Sequence, residues 1–458
     1  MSIIESTGAL ERYRGHLDGR FLLPGDAGYD AARTAWNLAV DQRPAAVALP
    51  HDVDEVVSVV RIATQTGHRV APQSTGHAAA SLAATTGRDD VILVNLREFT
   101  GVEVDPAARR ARIAGGTLWR DVIAATAPHG LTAQHGSAGD VAVAGYILSG
   151  GLSFYGRKHG LAVNSVRALE IVTADGALVR ASAEENAALY WAVRGGSGAL
   201  GVVTAIEIEL LPYADAFAGM LLWDASRAED VVLGWCTWAA SAPESATTSL
   251  RIMHFPPIPE LPPFLSGRSV VVIDGVVLED DARAAEVLGP LRALAPELDT
   301  FGRMPASGVL GIHMDPPQPT PSAAAHAMLG GIDEAGVRAF VTAAGPGSGV
   351  MFAELRHAGG AFARDAVGGG ALSSLGGAEF AAYALAMAPV REAVAPAAAA
   401  VAAVMAALRP WQAERLAPTF VEQDAEPSQL YGANAARLAD EARRFDPQGV
   451  FAAAHRVR

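Results

Sequence analysis

The stretch Arg69–Ala80, RVAPQSTGHAAA, carries a β-type run into a histidine followed by very small residues. A strand that stops at Ser74-Thr75-Gly76 has to turn there, and Gly76 with the alanines leaves backbone N–H groups uncovered. Successive N–H groups in a turn make a concave anion site that needs no lysine. His77 stands at the mouth of that turn. Near neutral pH much of an imidazole is unprotonated, so it can serve as a base, a ligand or a nucleophile, or simply hydrogen-bond at the surface.

On either side the chain alternates short β-type runs with helical ones from Arg43 to about Pro212. AAVALP precedes DVDEVVSVVRIATQTG, in which Val56, Val59, Val60 and Ala63 fall at helical spacing behind first-turn acids. The runs HRVAPQS and VILVNL read as strands, and ARIAGGTLWRDVIAATAPHG as a strand turning into a helix that stops at a glycine. VRALEIVTADGALVRAS reads as a hairpin across Asp175-Gly176. From Ala214 the texture changes: the long strands GMLLWD, TSLRIMHF and SVVVIDGVVL alternate with helices, and the proline segments FPPIPELPPF and DPPQPTP read as loops. AVAPAAAAVAAVMAAL reads as a buried or half-buried helix. The tail from Tyr431 gives one amphipathic helix with an Asp-Pro stop.

With 458 residues the chain is too long for one ordinary core, and two packed regions sharing a cleft are expected. Its formal charge of -14, with no Lys/Arg cluster, argues against nucleic-acid or anionic-membrane partners. The start MSIIESTGALERYR lacks the apolar block of a signal peptide, and no uncharged run of about 18 strongly apolar residues follows, so a soluble cytoplasmic protein is expected. The single cysteine, Cys236, excludes an internal disulfide and a cysteine-rich metal site, and no metal is expected. Lys158 is the sole lysine.

GSGALG, Gly196–Gly201, has the spacing of a dinucleotide fingerprint, but a helical segment precedes it and an alternating one follows. The fingerprint requires the reverse order, so the match carries no nucleotide site. A second glycine cluster, His135–Val166, places six glycines (136, 139, 145, 150, 151 and 156) ahead of Gly160. Such spacing marks close backbone approach, either to a large flat ligand or between strands at tight turns. In GVMFAELRHAGGAF the period of two puts Phe352, Glu354 and Arg356 on one strand face, which is either a solvated face or a reactive one.

Taken in order, P-x-S-x-G-H, G-S-x-x-x-V-x-V-x-G-x-x-L-x-G-G, R-K-x-G-L-A, L-Y-W-A-V-R-G-G-x-G-x-x-G-V-V-T, Y-G-x-N-x-x-R-L and F-D-P-x-x-V-F resemble the FAD-linked oxidases of the berberine bridge enzyme and 6-hydroxy-D-nicotine oxidase type, in the vanillyl-alcohol oxidase superfamily. The resemblance runs from about Leu22 to Phe451. It implies an α+β fold: a two-part PCMH-type FAD-binding domain, 1–213 with its core from about 40 and completed by 411–458, and an inserted substrate domain, 214–410, on an antiparallel sheet backed by helices.

The resemblance further implies FAD bonded once, through His77, with Gln73, Ser74, Thr75, Gly76, His77 and Ala78 around the pyrophosphate. Ala138 stands where doubly linked members have a cysteine. Val141 matches a position where a small residue admits dioxygen. Gly139, Gly145, Gly150, Gly151, Ser153, Gly160, Leu161 and Val166 match a backbone wall along the cofactor, and Gly198, Gly201, Val202 and Val203 match the adenine end. Departures are Gln73 and Thr75 in the histidine loop, Asn164 for an aspartate, Ala417-Pro418-Thr419-Phe420 for a Tyr-x-Asn-Phe contact, and His455 for an asparagine.

The implied roof strand makes Glu354 the candidate base and Arg356 its partner or an anion clamp. Tyr155, His135 and Arg251 are further polar candidates for the cavity, and Tyr431 and Asn434 for fastening the tail. The expected activity is oxidation of an alcohol carbon on a small organic or natural-product substrate, with dioxygen as acceptor. The alternatives are an amine oxidase, a flavin-dependent oxygenase or cyclase, and a flavin-holding protein without turnover. A monomer or homodimer is expected.

Overall fold

The computed structural model describes residues 8–85, 90–259, 261–262, 264–316 and 318–458. Residues 1–7, with Glu260, Pro263 and Pro317 of the proline segments, lie outside the described residues.

Three sheets form. The first has the spatial order Phe21–Leu22, Ala46–Ala48, Val91–Asn95, Arg69–Gln73; its first pair is antiparallel and the others parallel. Parallel neighbours need a crossover. The helix Val53–Thr66 carries the chain from Ala46–Ala48 to Arg69–Gln73, leaving room for Val91–Asn95 between them; Asp52 accepts the Glu55 N–H at 2.9 Å at its start and Gly67, with φ 73°, closes its end. Val56, Val59, Val60 and Ala63 are buried against the sheet as the spacing predicts.

The second sheet is antiparallel, in the order Val102–Asp105, Arg110–Ala114, Val202–Glu209, Val166–Val172, Leu178–Ser182. Its last two strands are the Asp175-Gly176 hairpin. GSGALG connects the helix Ala187–Gly196 to the strand Val202–Glu209, the reverse of the strand–turn–helix order that the dinucleotide fingerprint needs.

The third sheet is antiparallel throughout, in the order Leu298–Asp299, Asp215–Asp224, Ser269–Val277, Ala246–His254, Phe352–His357, Phe380–Met387, Ser322–Leu329, with Gly302–Pro305 also pairing with Asp215–Asp224. One face carries the helices Ala228–Ala239, Asp281–Arg292, Glu334–Ala343 and Val394–Ala407. Trp235, Leu288, Phe340 and Val404 pack there on Leu250, Ile273, Leu355 and Ala384. Fully burying each such side chain stabilises the fold by roughly 1.5–3 kcal/mol. The other face is mixed: Ala218 and Val276 cluster with Phe154 and Tyr155, Met253, Val270 and Val272 form a second apolar patch, and the polar part closes over a cavity shared with the first two sheets.

After Leu408 the chain returns to the N-terminal half. Leu438 and Ala442, on the helix Ala435–Phe445, join the core beneath the second sheet. Asp446, fully buried, accepts the N–H groups of Val450 and Phe451. That turn aims the tail along the first sheet, where the Val70 N–H donates to the Val450 carbonyl at 2.7 Å and the Ala452 N–H to the Val70 carbonyl at 2.8 Å. The architecture is the mixed helix-and-sheet arrangement expected from the sequence, with parallel pairing confined to the first sheet.

Candidate active site

The strand Arg69–Gln73 ends where the Gln73 carbonyl accepts the Leu96 N–H, and the chain turns through Gly76 at φ +80°. That conformation favours glycine. A Cβ there would lie 2.9 Å from Gln73 Nε2 and 3.0 Å from Ala35 Cβ. The turn delivers His77 to the wall of a cavity of about 350 Å³. Its Nε2 is buried without a hydrogen-bond partner, as is Gln73 Nε2 beside it. Burial pushes the His77 ring below its ordinary pKa, against the opposing pull of Asp140 and Asp315. The ring therefore stays neutral, the form in which a nitrogen lone pair is free. It stacks on Trp36, centroids 4.8 Å apart.

The third sheet supplies the facing wall. The register sets Glu354 between Arg251 and Tyr383 on neighbouring strands. Period two does the rest: Phe352, Glu354 and Arg356 line the cavity while Ala353 and Leu355 join the helix-backed core. Glu354 is 1% exposed, and Arg356 Nε donates to its Oε1 at 2.7 Å. Arg356 also donates to Ser137 Oγ at 3.3 Å and reaches His313 Nε2 at 3.1 Å. A guanidinium only donates, so Nε2 accepts and the proton of His313 sits on Nδ1, 2.9 Å from Asp274 Oδ2. Asp274, at 0% exposure, also takes Arg251 at 2.6 Å and Ser249 at 2.8 Å. Burial alone would raise the Asp274 carboxyl, but His313 and Arg251 hold it at about 2.

A second pair lies on the same wall. Tyr383 Oη donates to Glu422 Oε1 at 2.8 Å. Burial raises the Glu422 carboxyl, and burial together with Glu422 raises the Tyr383 phenol. The cavity wall holds four carboxyl groups (Asp140, Asp315, Glu354 and Glu422) against one guanidinium, Arg356, among the described residues.

Fourteen of the sequence-predicted residues meet here: Gln73 to Ala78 on the turn, Ala138, Val141 and Gly145 at the start of the helix Val143–Leu148, Gly198, Gly201 and Val203 at the second sheet, and Glu354 and Arg356 on the roof. A Cβ added at Gly145 would meet nothing within 4 Å, so its backbone is open to the cavity. The other eight lie off the wall. Gly139 packs on Arg120; Gly150, at φ +103°, turns against Leu372; Gly151 packs on Tyr146 and Ala162; and Gly160 ends the helix Gly156–His159. Ser153, Leu161, Val166 and Val202 are buried in the protein interior. Glycine spacing reports chain meeting chain as readily as chain meeting ligand.

Pro418, Thr419, Phe420 and His455, where the sequence departs from its relatives, line the cavity, and burial pushes His455 down to about 4. Arg251 stands behind the wall on Asp274, whereas His135 and Tyr155 lie outside it. Asn434 donates to the Ala371 carbonyl at 3.0 Å and so fastens the tail. Trp36, Asp140, Asp274, His313, Asp315, Tyr383 and Glu422 escaped sequence reasoning. Only the third-sheet alternation could have pointed to Asp274 and Tyr383.

A turn with uncovered backbone, an unpartnered neutral imidazole and orphaned donors facing a cavity fit a cofactor with a long anionic arm and a flat ring. Fold and site together suit an FAD-binding protein whose cavity is roofed by the third sheet. The FAD binding domain family matches residues 44–182. (R)-6-hydroxynicotine oxidase from Paenarthrobacter nicotinovorans is 34% identical over 215 residues, 46% of each chain, so the match spans about half the length of that relative. BBE-like 1 from Physcomitrella patens superposes with a TM-score of 0.82 at 20% identity, covering 100% of this chain and 99% of that one. A glucooligosaccharide oxidase from Acremonium strictum, described with a 6-S-cysteinyl, 8α-N1-histidyl FAD, superposes with a TM-score of 0.78 at 19% identity over 99% and 98% of the two chains. Residues 44–182 thus carry an FAD binding domain, and the whole chain has the fold of the berberine bridge enzyme-like structures.

Proposed function

We propose that the protein is an oxidase that carries FAD on one covalent bond to His77, removes a hydride from an alcohol carbon of a small organic or natural-product molecule, and uses dioxygen as acceptor with release of hydrogen peroxide. The observation that carries this reading is a single cavity with the unpartnered His77 ring on one wall and the Glu354–Arg356 pair on the other. Bound FAD supplies the redox chemistry, taking up a hydride and giving electrons to the acceptor.

The chain's own residues do the rest. Gln73 to Ala78 hold the cofactor's anionic arm on backbone N–H groups. Ala138 offers no thiol on the wall, and the sole cysteine, Cys236, is buried in another core, so the link through His77 stands alone. Glu354 takes the hydroxyl proton as the hydride leaves, because removing it prevents a cationic carbonyl from building up. Arg356, donating to Oε1, holds that carboxylate in place, and Asp274 fixes Arg356 in turn through His313.

The excess of carboxyl groups over guanidinium on the wall favours a second reading, oxidation of a cationic amine. The test is expression with ample riboflavin, followed by intact mass, flavin fluorescence on a denaturing gel, and a peroxide-release screen of alcohols against amines. A covalent adduct with peroxide from alcohols is expected. Bare apoprotein, or product without peroxide, would sink the proposal, and peroxide from amines alone would favour the second reading.

A further inference from the structure

We propose that Trp36, braced by Asp140, is the positioning residue for covalent flavin attachment, holding the His77 ring in the one orientation that can bond. The inference rests on the covalent reading above. An imidazole turns about a broad, roughly two-fold torsion. His77 Nε2 has no hydrogen-bond partner to stop that rotation. The restraint comes from stacking: the Trp36 indole lies 4.8 Å from the His77 ring at an interplanar angle of 27°.

Trp36 is itself fastened at three points by three separate segments, once through its indole and twice through its backbone. Its Nε1–H donates to Asp140 Oδ2 at 2.8 Å. Its backbone N–H donates to the Thr75 carbonyl, two residues before His77, at 2.9 Å. Its carbonyl accepts the Thr320 N–H at 3.1 Å. Next to it, Ala35 Cβ closes on the space a side chain at position 76 would need. Trp36 lies outside residues 44–182, where the FAD binding domain family matches, so this brace is supplied to the histidine loop by a preceding segment.

Attachment forms one bond between a His77 nitrogen and the methyl carbon at position 8 of the flavin ring, with loss of a methyl proton and the imidazole N–H proton. The two electrons left on the ring pass to dioxygen, giving hydrogen peroxide. Burial keeps the attacking ring neutral, and the Asp140 and Asp315 carboxylates favour the positive charge that it carries before its proton leaves. Trp36 touches neither proton; its part is orientation, which is worth large rate factors when reacting atoms must meet in line, while Asp140 both holds the indole and adds its charge.

The test mixes apoprotein with FAD and follows the ratio of covalent to total bound flavin over time, by gel fluorescence and intact mass, in wild type, Trp36→Ala, Trp36→Phe and Asp140→Ala. Trp36→Ala is expected to bind FAD yet attach it about tenfold or more slowly. Trp36→Phe, which keeps a stacking ring but loses the N–H that Asp140 accepts, and Asp140→Ala, which keeps the indole but loses its acceptor, should both fall between Trp36→Ala and wild type. Should Trp36→Ala fail to fold, Trp36→Phe and Asp140→Ala decide, since each removes the bond between the indole N–H and Asp140 and both attach flavin more slowly than wild type if the brace matters. Wild-type attachment rates in these variants overturn the inference alone. A wild type holding only dissociable flavin overturns it together with the covalent reading.

Discussion

The two walls of the cavity are built on opposite principles. The His77 wall is made from one continuous turn of small residues, and its polar groups, Gln73 Nε2 and His77 Nε2, are buried without partners. The roof gathers Arg251, Asp274, His313, Glu354 and Arg356 from three strands and a loop, and links them in one chain of ion pairs and hydrogen bonds. A buried polar group without a partner is costly, so the first wall is incomplete until something fills it. The second has its charges paired, Arg251 on Asp274 and Arg356 on Glu354, with Arg251 Nε left unpartnered, which suits a surface that must hold its geometry while substrates come and go.

If that contrast holds, removing His77 from the first wall should abolish cofactor attachment while sparing the fold, and removing the Asp274 charge from the second should damage the fold. The largest effect belongs to His77→Ala, for which complete loss of covalent flavin is expected with the melting temperature of the apoprotein little changed; gel fluorescence and thermal denaturation read the two separately. Next comes Glu354→Gln, expected to slow substrate oxidation by about 10²–10⁴-fold. Stopped-flow loss of flavin colour on the best substrate of the peroxide screen measures it, and an unchanged rate would remove Glu354 from the chemistry.

Asp274→Asn leaves Arg251 buried opposite no charge, which should cost about 3–5 kcal/mol in urea unfolding. The same carboxylate predicts a pH dependence. Its folded value, about 2, lies below the ordinary value of about 3.9 for an unfolded aspartate. Its contribution of about 2–3 kcal/mol is therefore present above pH ~4 and lost as pH falls from ~4 towards ~2. Unfolding curves at two acidic pH values should show that decline in wild type and not in Asp274→Asn. The smallest effect is Gly76→Ala. With φ +80° and a Cβ pressed on Gln73 and Ala35, it should cost about 1–2 kcal/mol by chemical denaturation, and no cost would mean the turn relaxes.

The same contrast explains what could be read from the chain. The histidine turn, the capped helix behind Asp52 and the Asp175-Gly176 hairpin are encoded by neighbours along the sequence, so residue order reveals them. The glycine-rich run was legible as a place of close approach but not as to what approaches: Gly145 opens to the cavity, whereas Gly150 and Gly151 meet Leu372, Tyr146 and Ala162. Glu354 and Arg356 were visible through strand periodicity. Their hold on His313 and Asp274 was not, because it depends on strand register and on a loop that returns from 313 to 315.

By itself the amino-acid sequence determined the class of fold, the turn bearing His77 and the strand face bearing Glu354, since each follows from local spacing and backbone preference. Only the tertiary structure decided that Trp36 lies on His77, that Tyr383 meets Glu422 and that Asp274 anchors the roof. Those contacts join residues about 40 positions apart, and packing rather than any periodicity of the chain brings them within reach.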